Sequence, residues 1–236
     1  MKAILLSAGY GTRLRPVTNK IPKCLIKINN QTLIDIWIKK LIDIGVNSIL
    51  INTHYLPKKI FKHINNSPYK KKIIIKYEKK LLNTGGTLIR NLNFFKDEEG
   101  LLIHSDNLCF EGLDNFMVKH KSRPKQCLMT MMAFPSKGQK DVGIIKKNRK
   151  NILINFFEKK NIKGNLANCA VYIFSNKFIK ILKTMKKKNY SFSDDIIKLF
   201  FNKIYIYKTK DFFIDIGNIY NLRLARKIAR QRNFYV

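Results

Sequence analysis

Ten residues near the start of the chain, Ser7-Ala8-Gly9-Tyr10-Gly11-Thr12-Arg13-Leu14-Arg15-Pro16, follow the apolar run Ala3–Leu6. Glycines placed directly after a first strand let backbone N–H groups come close to an anionic ligand. Arg13 stands two residues past the second glycine, and Lys23 follows Ile21-Pro22. A guanidinium and an ammonium beside a glycine cradle suit a triphosphate. The spacing excludes two commoner phosphate loops. G-x-G-x-x-G would need glycine where Leu14 stands, and no G-x-x-x-x-G-K-[ST] occurs. Two aspartates add acid chemistry. Asp106 follows Leu101-Leu102-Ile103-His104-Ser105, and Asp215 follows Phe212-Phe213-Ile214 and precedes Ile216-Gly217. Open α/β sheets bind ligands beyond the carboxyl ends of their strands. A carboxylate there, beside a phosphate loop, suits Mg²⁺, which takes hard oxygen ligands and bridges substrate phosphates. Sequence spacing alone does not join the two aspartates. His104 reads as a strand residue.

The wording G-x-G-T-R-L-x-P followed by P-K resembles the signature of the sugar-1-phosphate nucleotidyltransferases, which make nucleotide sugars. Family-like segments follow in order across nearly the whole chain. The chain looks most like the short guanylyltransferases acting on mannose- or heptose-type 1-phosphates. The resemblance implies an α/β fold, Rossmann-like and GT-A-like. Its central sheet would be mixed but mostly parallel and flanked by helices, with no C-terminal β-helix. It implies that Ser7, Ala8, Gly9, Gly11 and Thr12 line the nucleotide, that Arg13 holds the phosphates and that Lys23 meets the α-phosphate region. Leu81-Leu82-Asn83-Thr84-Gly85-Gly86 resembles a base-contacting segment, which assigns Asn83, Thr84 and Gly85 to the nucleotide. From residue types alone, the same stretch reads as a helix start capped by Asn83 or Thr84. Asp106 and Asp215 match the family's metal pair, which would hold Mg²⁺.

For the acceptor, Asp141-Val142-Gly143-Ile144 resembles a segment whose glycine lets the sugar approach. Phe157-Glu158-Lys159 resembles one whose Lys grips the sugar phosphate and whose Glu meets hydroxyls. Asn168, in Asn165–Tyr172, resembles a sugar contact. Three departures touch this half: Lys160 stands where Pro is usual, Cys169-Ala170 replaces Ala-Gly, and Ser191 replaces an acidic residue. The implied reaction joins an NTP and a sugar 1-phosphate into an NDP-sugar and releases pyrophosphate. Uridylyl-, thymidylyl- and cytidylyltransferases share the build, so base and acceptor stay open.

The elements that must position these residues are legible as periodicity. Ala3–Leu6, Ser48–Asn52, Lys72–Tyr77 and Leu101–His104 read as buried strands. Between them, Leu33, Ile34, Trp37, Ile38 and Leu41 form a helical stripe that leaves Lys39 and Lys40 outside it. Leu56–Ile64, Thr84–Leu92 and Leu113–His120 complete an alternation that predicts a parallel sheet. After about residue 125 strand-like segments dominate: Cys127–Phe134, Val142–Lys146, Ile152–Glu158 and Ala170–Phe174. Helices are predicted near Lys177–Met185 and Phe192–Phe200, then strands at Ile204–Tyr207 and Phe212–Ile214 and a basic helix from about Tyr220. With no internal repeat or Pro/Gly/Ser linker, the chain reads as a single nucleotidyltransferase domain over 1–236. The nucleotide-binding half is about 1–125 and the acceptor-binding half about 126–236.

The loudest compositional feature is charge: 47 Lys+Arg against 15 Asp+Glu, a net +32 over 236 residues. That first suggests nucleic acid. Yet 38 of the 47 are Lys, and with 34 Ile and 24 Asn they make up two fifths of the chain. All three residues have A/T-rich codons, so the charge reads as a compositional background. A nucleic-acid protein would instead show Arg and aromatics interleaved on one face, with binding that falls steeply with salt. The expectation is therefore no specific nucleic-acid partner. No apolar run reaches the roughly 18–20 residues of a membrane span, and the short apolar start does not read as a signal peptide. Cys24, Cys109, Cys127 and Cys169 are scattered without a C-x-x-C pair, which fits a reducing cytoplasm. The sequence leaves homo-oligomerisation open. A non-catalytic relative is disfavoured by the intact Asp106, Asp215, Arg13 and Lys23.

Overall fold

Ala3, Ile4 and Leu5 are fully buried in the first strand, Lys2–Leu6. It pairs in parallel with Ser48–Thr53, which pairs in parallel with Ile73–Tyr77. Continuous apolar runs suit strands covered on both faces. The computed structural model describes residues 1–96, 98–136, 142–158, 162, 164–185 and 189–234. These fall into two compact units that do not follow chain order. The first comprises Lys2–Leu81, Ile103–Leu113 and Asp211–Val236. The second comprises Met1, Leu82–Leu102 and Asp114–Lys210. The boundary runs through the strand Gly100–His104, whose last two residues lie beside Lys2–Leu6 in the first unit.

In the first unit the helix Leu33–Asp43 starts where Thr32 caps it, its hydroxyl accepting from the Asp35 N–H at 3.2 Å. Leu33, Ile34, Ile36, Trp37, Ile38 and Leu41 are buried as their spacing requires. Lys40, expected outside the stripe, is buried as well. Its ammonium donates to the carbonyls of Glu111 at 2.8 Å and Phe110 at 3.3 Å, so burial is compensated by charge-assisted bonds. Burial still pulls its pKa down. Those carbonyls lie just past a strand that the sequence reading did not mark, Asn107–Cys109. It pairs antiparallel with Phe213–Asp215, in a register that sets Asp215 opposite Asn107. Trp37 secures the start of this ribbon, its indole N–H donating to the Asn107 carbonyl at 2.9 Å. The last helix, Ile219–Gln231, is capped by Asn218 and buries Leu222, Ala225 and Ala229 in a cluster with Leu14, Ile26, Leu108 and Ile216.

The second unit is mixed. Met129–Pro135 pairs antiparallel with Leu166–Phe174 and parallel with Ile204–Lys208, while Ile144–Lys147 pairs antiparallel with Leu153–Phe157. The helices Asn83–Arg90, Asp114–Lys121 and Asn176–Leu182 belong to it. Phe192–Phe200, read as one helix, is a π-helical turn over Phe192–Ile196 followed by Ile197–Leu199. The Ser191 hydroxyl caps that turn, accepting from the Asp194 N–H at 3.1 Å. No β-helix is present among the described residues, and none of their helices is long and apolar enough to cross a membrane.

One core group of this unit responds to pH. His120 is fully buried, with Nδ1 2.8 Å from the Thr130 hydroxyl and Nε2 3.3 Å from Glu99 Oε1, and Arg123 is paired to the same carboxylate. Burial pulls its pKa down, with Glu99 opposing and Arg123 assisting. A depressed histidine leaves the unfolded chain binding more protons below about pH 6.5, so its stability contribution is present above that value and lost as pH falls. The expected result is a lower melting temperature at pH 5.5 than at 7.5, with a smaller fall in His120→Gln. An identical fall in both proteins would assign the pH response elsewhere.

Candidate active site

The glycine loop leaves the first strand at its carboxyl end and turns under exact backbone demands. Gly11 sits at φ 63°, the left-handed region that favours glycine. A Cβ there would also come within 3.0 Å of Thr18 Cγ2. The Gly11 carbonyl accepts from the Leu14 N–H at 2.9 Å and from the Thr18 hydroxyl at 2.8 Å, which closes the loop into the short turn Thr12–Leu14. Upstream, the Ser7 N–H donates to Asn52 Oδ1 at 2.8 Å, and the Ser7 and Ser105 hydroxyls share a hydrogen bond at 2.8 Å. The loop is therefore tied to the ends of the two strands flanking the first.

A cavity of about 190 Å³ opens inside this loop. Ser7, Gly9, Gly11, Thr12, Arg13 and Lys23 line it, with Ser105, Asp106 and Gly217. A Cβ at Gly9 would meet nothing within 4 Å, so backbone there is open to close approach. Ala8 is buried, and Tyr10 turns outward to His54 Nε2 at 2.9 Å.

At the base of the cavity, Lys23 Nζ lies 2.7 Å from Asp106 Oδ2 and 3.4 Å from Asp215 Oδ1. The ribbon explains how residues so far apart in sequence meet, because Asp106 directly precedes the residue that pairs with Asp215. Their electrostatics diverge. Burial alone lowers the Lys23 pKa, but the attractions of Asp106 and Asp215 together outweigh it and hold the ammonium above its ordinary range. Burial raises Asp106, yet Lys23 first and His104 next bring it below the ordinary carboxylate value. Burial also raises Asp215; Lys23 pulls back, the like charge of Asp106 pushes further, and the net shift is upward. Arg13 lowers Asp215 as well. Its Nη2 would be 3.2 Å from a Cβ at Gly217, which would also sit 2.9 Å from Asp215 Oδ2. Glycine at 217 is what leaves room for Arg13 beside that carboxylate.

The structure thus brings together Ser7, Gly9, Gly11, Thr12, Arg13, Lys23, Asp106 and Asp215, all in the first unit. The sequence reading missed Asn52 and Ser105, which hold Ser7; only their positions at strand ends could have marked them. The other expected residues lie in the second unit. Asn83, at φ 57°, opens its helix without a side-chain cap. The Thr84 hydroxyl accepts instead from the Phe192 N–H at 2.9 Å, and the Gly85 N–H donates to the Tyr190 carbonyl at 2.9 Å. The Gly143 carbonyl accepts from the Asn168 N–H at 2.9 Å, and a Cβ at Gly143 would come 2.8 Å from Glu158 Oε2. Lys159 lies outside the described residues.

Asn168 anchors a β-bulge. Its Oδ1 accepts from the Ala170 N–H at 2.9 Å and its Nδ2 donates to the Tyr172 hydroxyl at 2.6 Å, where the pairing register shifts. Ala170 occupies φ 54°, at a position where the resembled family carries glycine. A left-handed alanine costs about 1–2 kcal/mol, less glycine's extra chain entropy. Ala170→Gly is therefore expected to stabilise the protein by about 0.5–1 kcal/mol in urea unfolding. A loss of stability would place the bulge's support elsewhere.

The chain resembles known proteins over most of its length. The mannose-1-phosphate guanylyltransferase catalytic subunit beta of Dictyostelium discoideum is 30% identical over 228 residues, covering 92% of this chain and 61% of the relative. The mannose-1-phosphate guanyltransferase of Saccharomyces cerevisiae is 28% identical over 227 residues, with the same coverage. A glucose-1-phosphate adenylyltransferase of Fervidobacterium nodosum is 26% identical over 257 residues and is also spanned to 61% of its length. The chain thus spans about three fifths of the curated relatives it matches. Among solved structures, HddC from Yersinia pseudotuberculosis superimposes with a TM-score of 0.81 at 23% identity, covering 96% of this chain and 98% of that one. A putative glucose-1-phosphate thymidylyltransferase from Bacillus anthracis gives 0.86 at 18%, covering 100% and 98%. The fold is therefore the mixed α/β nucleotidyltransferase fold that the motifs led us to expect. With the family profile described as Nucleotidyl transferase matching residues 2–231, the chain belongs to the nucleotidyl transferase family.

Proposed function

We propose that the protein transfers a nucleotidyl group from an NTP to a sugar 1-phosphate, with GTP and a mannose- or heptose-type 1-phosphate as the substrates. The observation that carries this reading is the Lys23 ammonium held between Asp106 and Asp215 inside the glycine-loop cavity. The base assignment rests on the guanylyltransferase names of similar proteins and on the loop wording.

The carboxylate pair fits Mg²⁺. Two hard oxygen ligands already converge on one cationic atom, and no group of three or more His, Cys, Asp or Glu forms a metal cage among the described residues. Mg²⁺ characteristically takes one or two carboxylates and completes its shell with water and substrate phosphates. Asp106 and Asp215 would hold it, and when bound it neutralises phosphate charge. The chain's own groups do the rest. The loop backbone at Gly9 and Gly11 receives the phosphates, and Arg13 stabilises the departing pyrophosphate. Lys23 neutralises charge at the α-phosphate. An oxygen of the acceptor phosphate forms the new bond to the α-phosphorus as the bond between the α- and β-phosphates breaks. Pyrophosphate carries away the electron pair, and no bond to the protein forms. Such a step needs positioning and charge neutralisation more than a side-chain nucleophile. By resemblance, Glu158 and Lys159 serve the acceptor. The four buried free cysteines support placement in the reducing cytoplasm.

A pyrophosphate-release screen crossing four NTPs with sugar 1-phosphates and phosphocholine tests the proposal. Release from GTP with a mannose- or heptose-type 1-phosphate is expected to exceed every other pair by about tenfold or more. Preference for another base or acceptor would replace that assignment, and no release with any pair would overturn the reading.

A further inference from the structure

The proposed chemistry uses only three of the 47 basic residues, and the arginines among the remainder are not spread like the lysines. Arg223, Arg226, Arg230 and Arg232, four of the nine in the chain, fall within ten consecutive residues. An A/T-rich codon background accounts for dispersed Lys but not for this concentration. Two of the four have local partners. Arg226 Nε donates to the Lys27 carbonyl at 3.1 Å, and Arg232 pairs with Asp211 at 2.5 Å and lies over the Phe110 ring. Arg223, Lys227 and Arg230 are exposed along the helix Ile219–Gln231. At spacings of four and three they lie on one face. Tyr220, three residues before Arg223, extends that face and is 73% exposed. Arg223, Arg226, Lys227, Arg230 and Gln231 line a shallow cavity of about 410 Å³.

We propose that this helix face is a sequence-independent docking surface for single-stranded RNA, with the cations on successive phosphates and Tyr220 stacked on a base. From Arg223 to Arg230 the helix rises about 10 Å, about three steps of a stacked strand. Guanidiniums with an exposed aromatic ring are the combination that holds single strands without reading sequence. The surroundings disfavour other occupants. The helix's apolar residues Leu222, Ala225 and Ala229 are buried in the core and Ile219 and Leu224 pack against it, so little apolar surface remains to enter a lipid layer. A second copy of a chain at net +32 is repelled rather than drawn.

The test compares two charge-matched triple variants by fluorescence anisotropy with a 5′-labelled oligouridylate in about 0.1 M KCl, where charges more than about 10 Å away are screened. One carries Arg223→Gln, Lys227→Gln and Arg230→Gln. The other carries Lys70→Gln, Lys71→Gln and Lys72→Gln, a run of exposed lysines in the same unit. The helix variant is expected to lose about tenfold or more in affinity. Its salt slope should become shallower by about two, at about 0.7 per phosphate contact on a single strand. The Lys70–Lys72 variant should change less than about twofold. Tyr220→Ala should lose about fivefold or more with its slope unchanged. Equal losses in both triple variants would overturn the proposal, as would an unchanged slope in the helix variant. Binding to phosphatidylserine vesicles that depends on the helix cations, without binding to the oligouridylate, would also overturn it.

Discussion

Asp106→Asn is expected to lower kcat for pyrophosphate release by more than about 100-fold, a loss of roughly 3 kcal/mol or more in transition-state stabilisation. The substitution keeps size and removes one negative charge from a site built around it. Asp106 is the carboxylate that Lys23 holds most closely, at 2.7 Å, and the one whose pKa lies below the ordinary range despite burial. Its carboxylate is therefore held in the charged form that would ligate Mg²⁺. Asn cannot take over that charge, while Lys23 keeps Asp215 at 3.4 Å, so the cavity should hold its shape. An unchanged melting temperature would separate chemistry from folding. Near wild-type turnover in a folded variant would remove Asp106 from the reaction.

Lys23→Met carries the second largest effect, on both turnover and stability. Loss of the ammonium that we propose meets the α-phosphate should lower kcat on the order of 100-fold. It also leaves two carboxylates facing each other without their shared cation. Breaking a fully buried pair costs about 3–5 kcal/mol. Here the Asp106 and Asp215 side chains are 34% and 31% exposed, so water moderates the loss to about 2 kcal/mol. The pH dependence has a definite sign. Without Lys23, burial and mutual repulsion push both carboxylates upward, and the folded chain keeps protons that the unfolded chain has released. Stability then falls as pH rises through that window. Urea unfolding should show a larger deficit against wild type at pH 8 than at pH 5. An equal deficit at both would mean that Lys23 does not set the charge of the pair.

Legibility in the sequence followed the range of the interactions. Lys2–Leu6, Ser48–Thr53 and Gly100–His104 could be read because strands buried on both faces are continuous apolar runs. The glycine loop could be read because its demands are local: a positive φ at Gly11 and a basic residue two positions later. What joins Asp106 to Asp215 was illegible. The joining strand, Asn107–Cys109, has three residues and no period, and its partner arrives 106 positions later. Lys40 was placed outside the helical stripe because an ammonium ordinarily avoids burial. It is inside because the Phe110 and Glu111 carbonyls leave that same short strand and need a donor. The left-handed backbone at Ala170 was hidden for a different reason, since the residue there lacks the glycine that would have announced it. Net charge, loudest at first, resolves into a dispersed Lys background, three residues assigned to phosphates, and one arginine-rich helix face.

In the proposed single displacement the NTP loses pyrophosphate only as an acceptor phosphate takes its place. The most direct measurement incubates the protein with Mg²⁺, GTP labelled at the α-phosphate and mannose 1-phosphate, and quantifies pyrophosphate, labelled nucleotide sugar and labelled protein. Pyrophosphate and nucleotide sugar are expected in equal amounts, formed only when both substrates are present, with no label on the chain. Pyrophosphate released without an acceptor, or label retained on the protein, would contradict it.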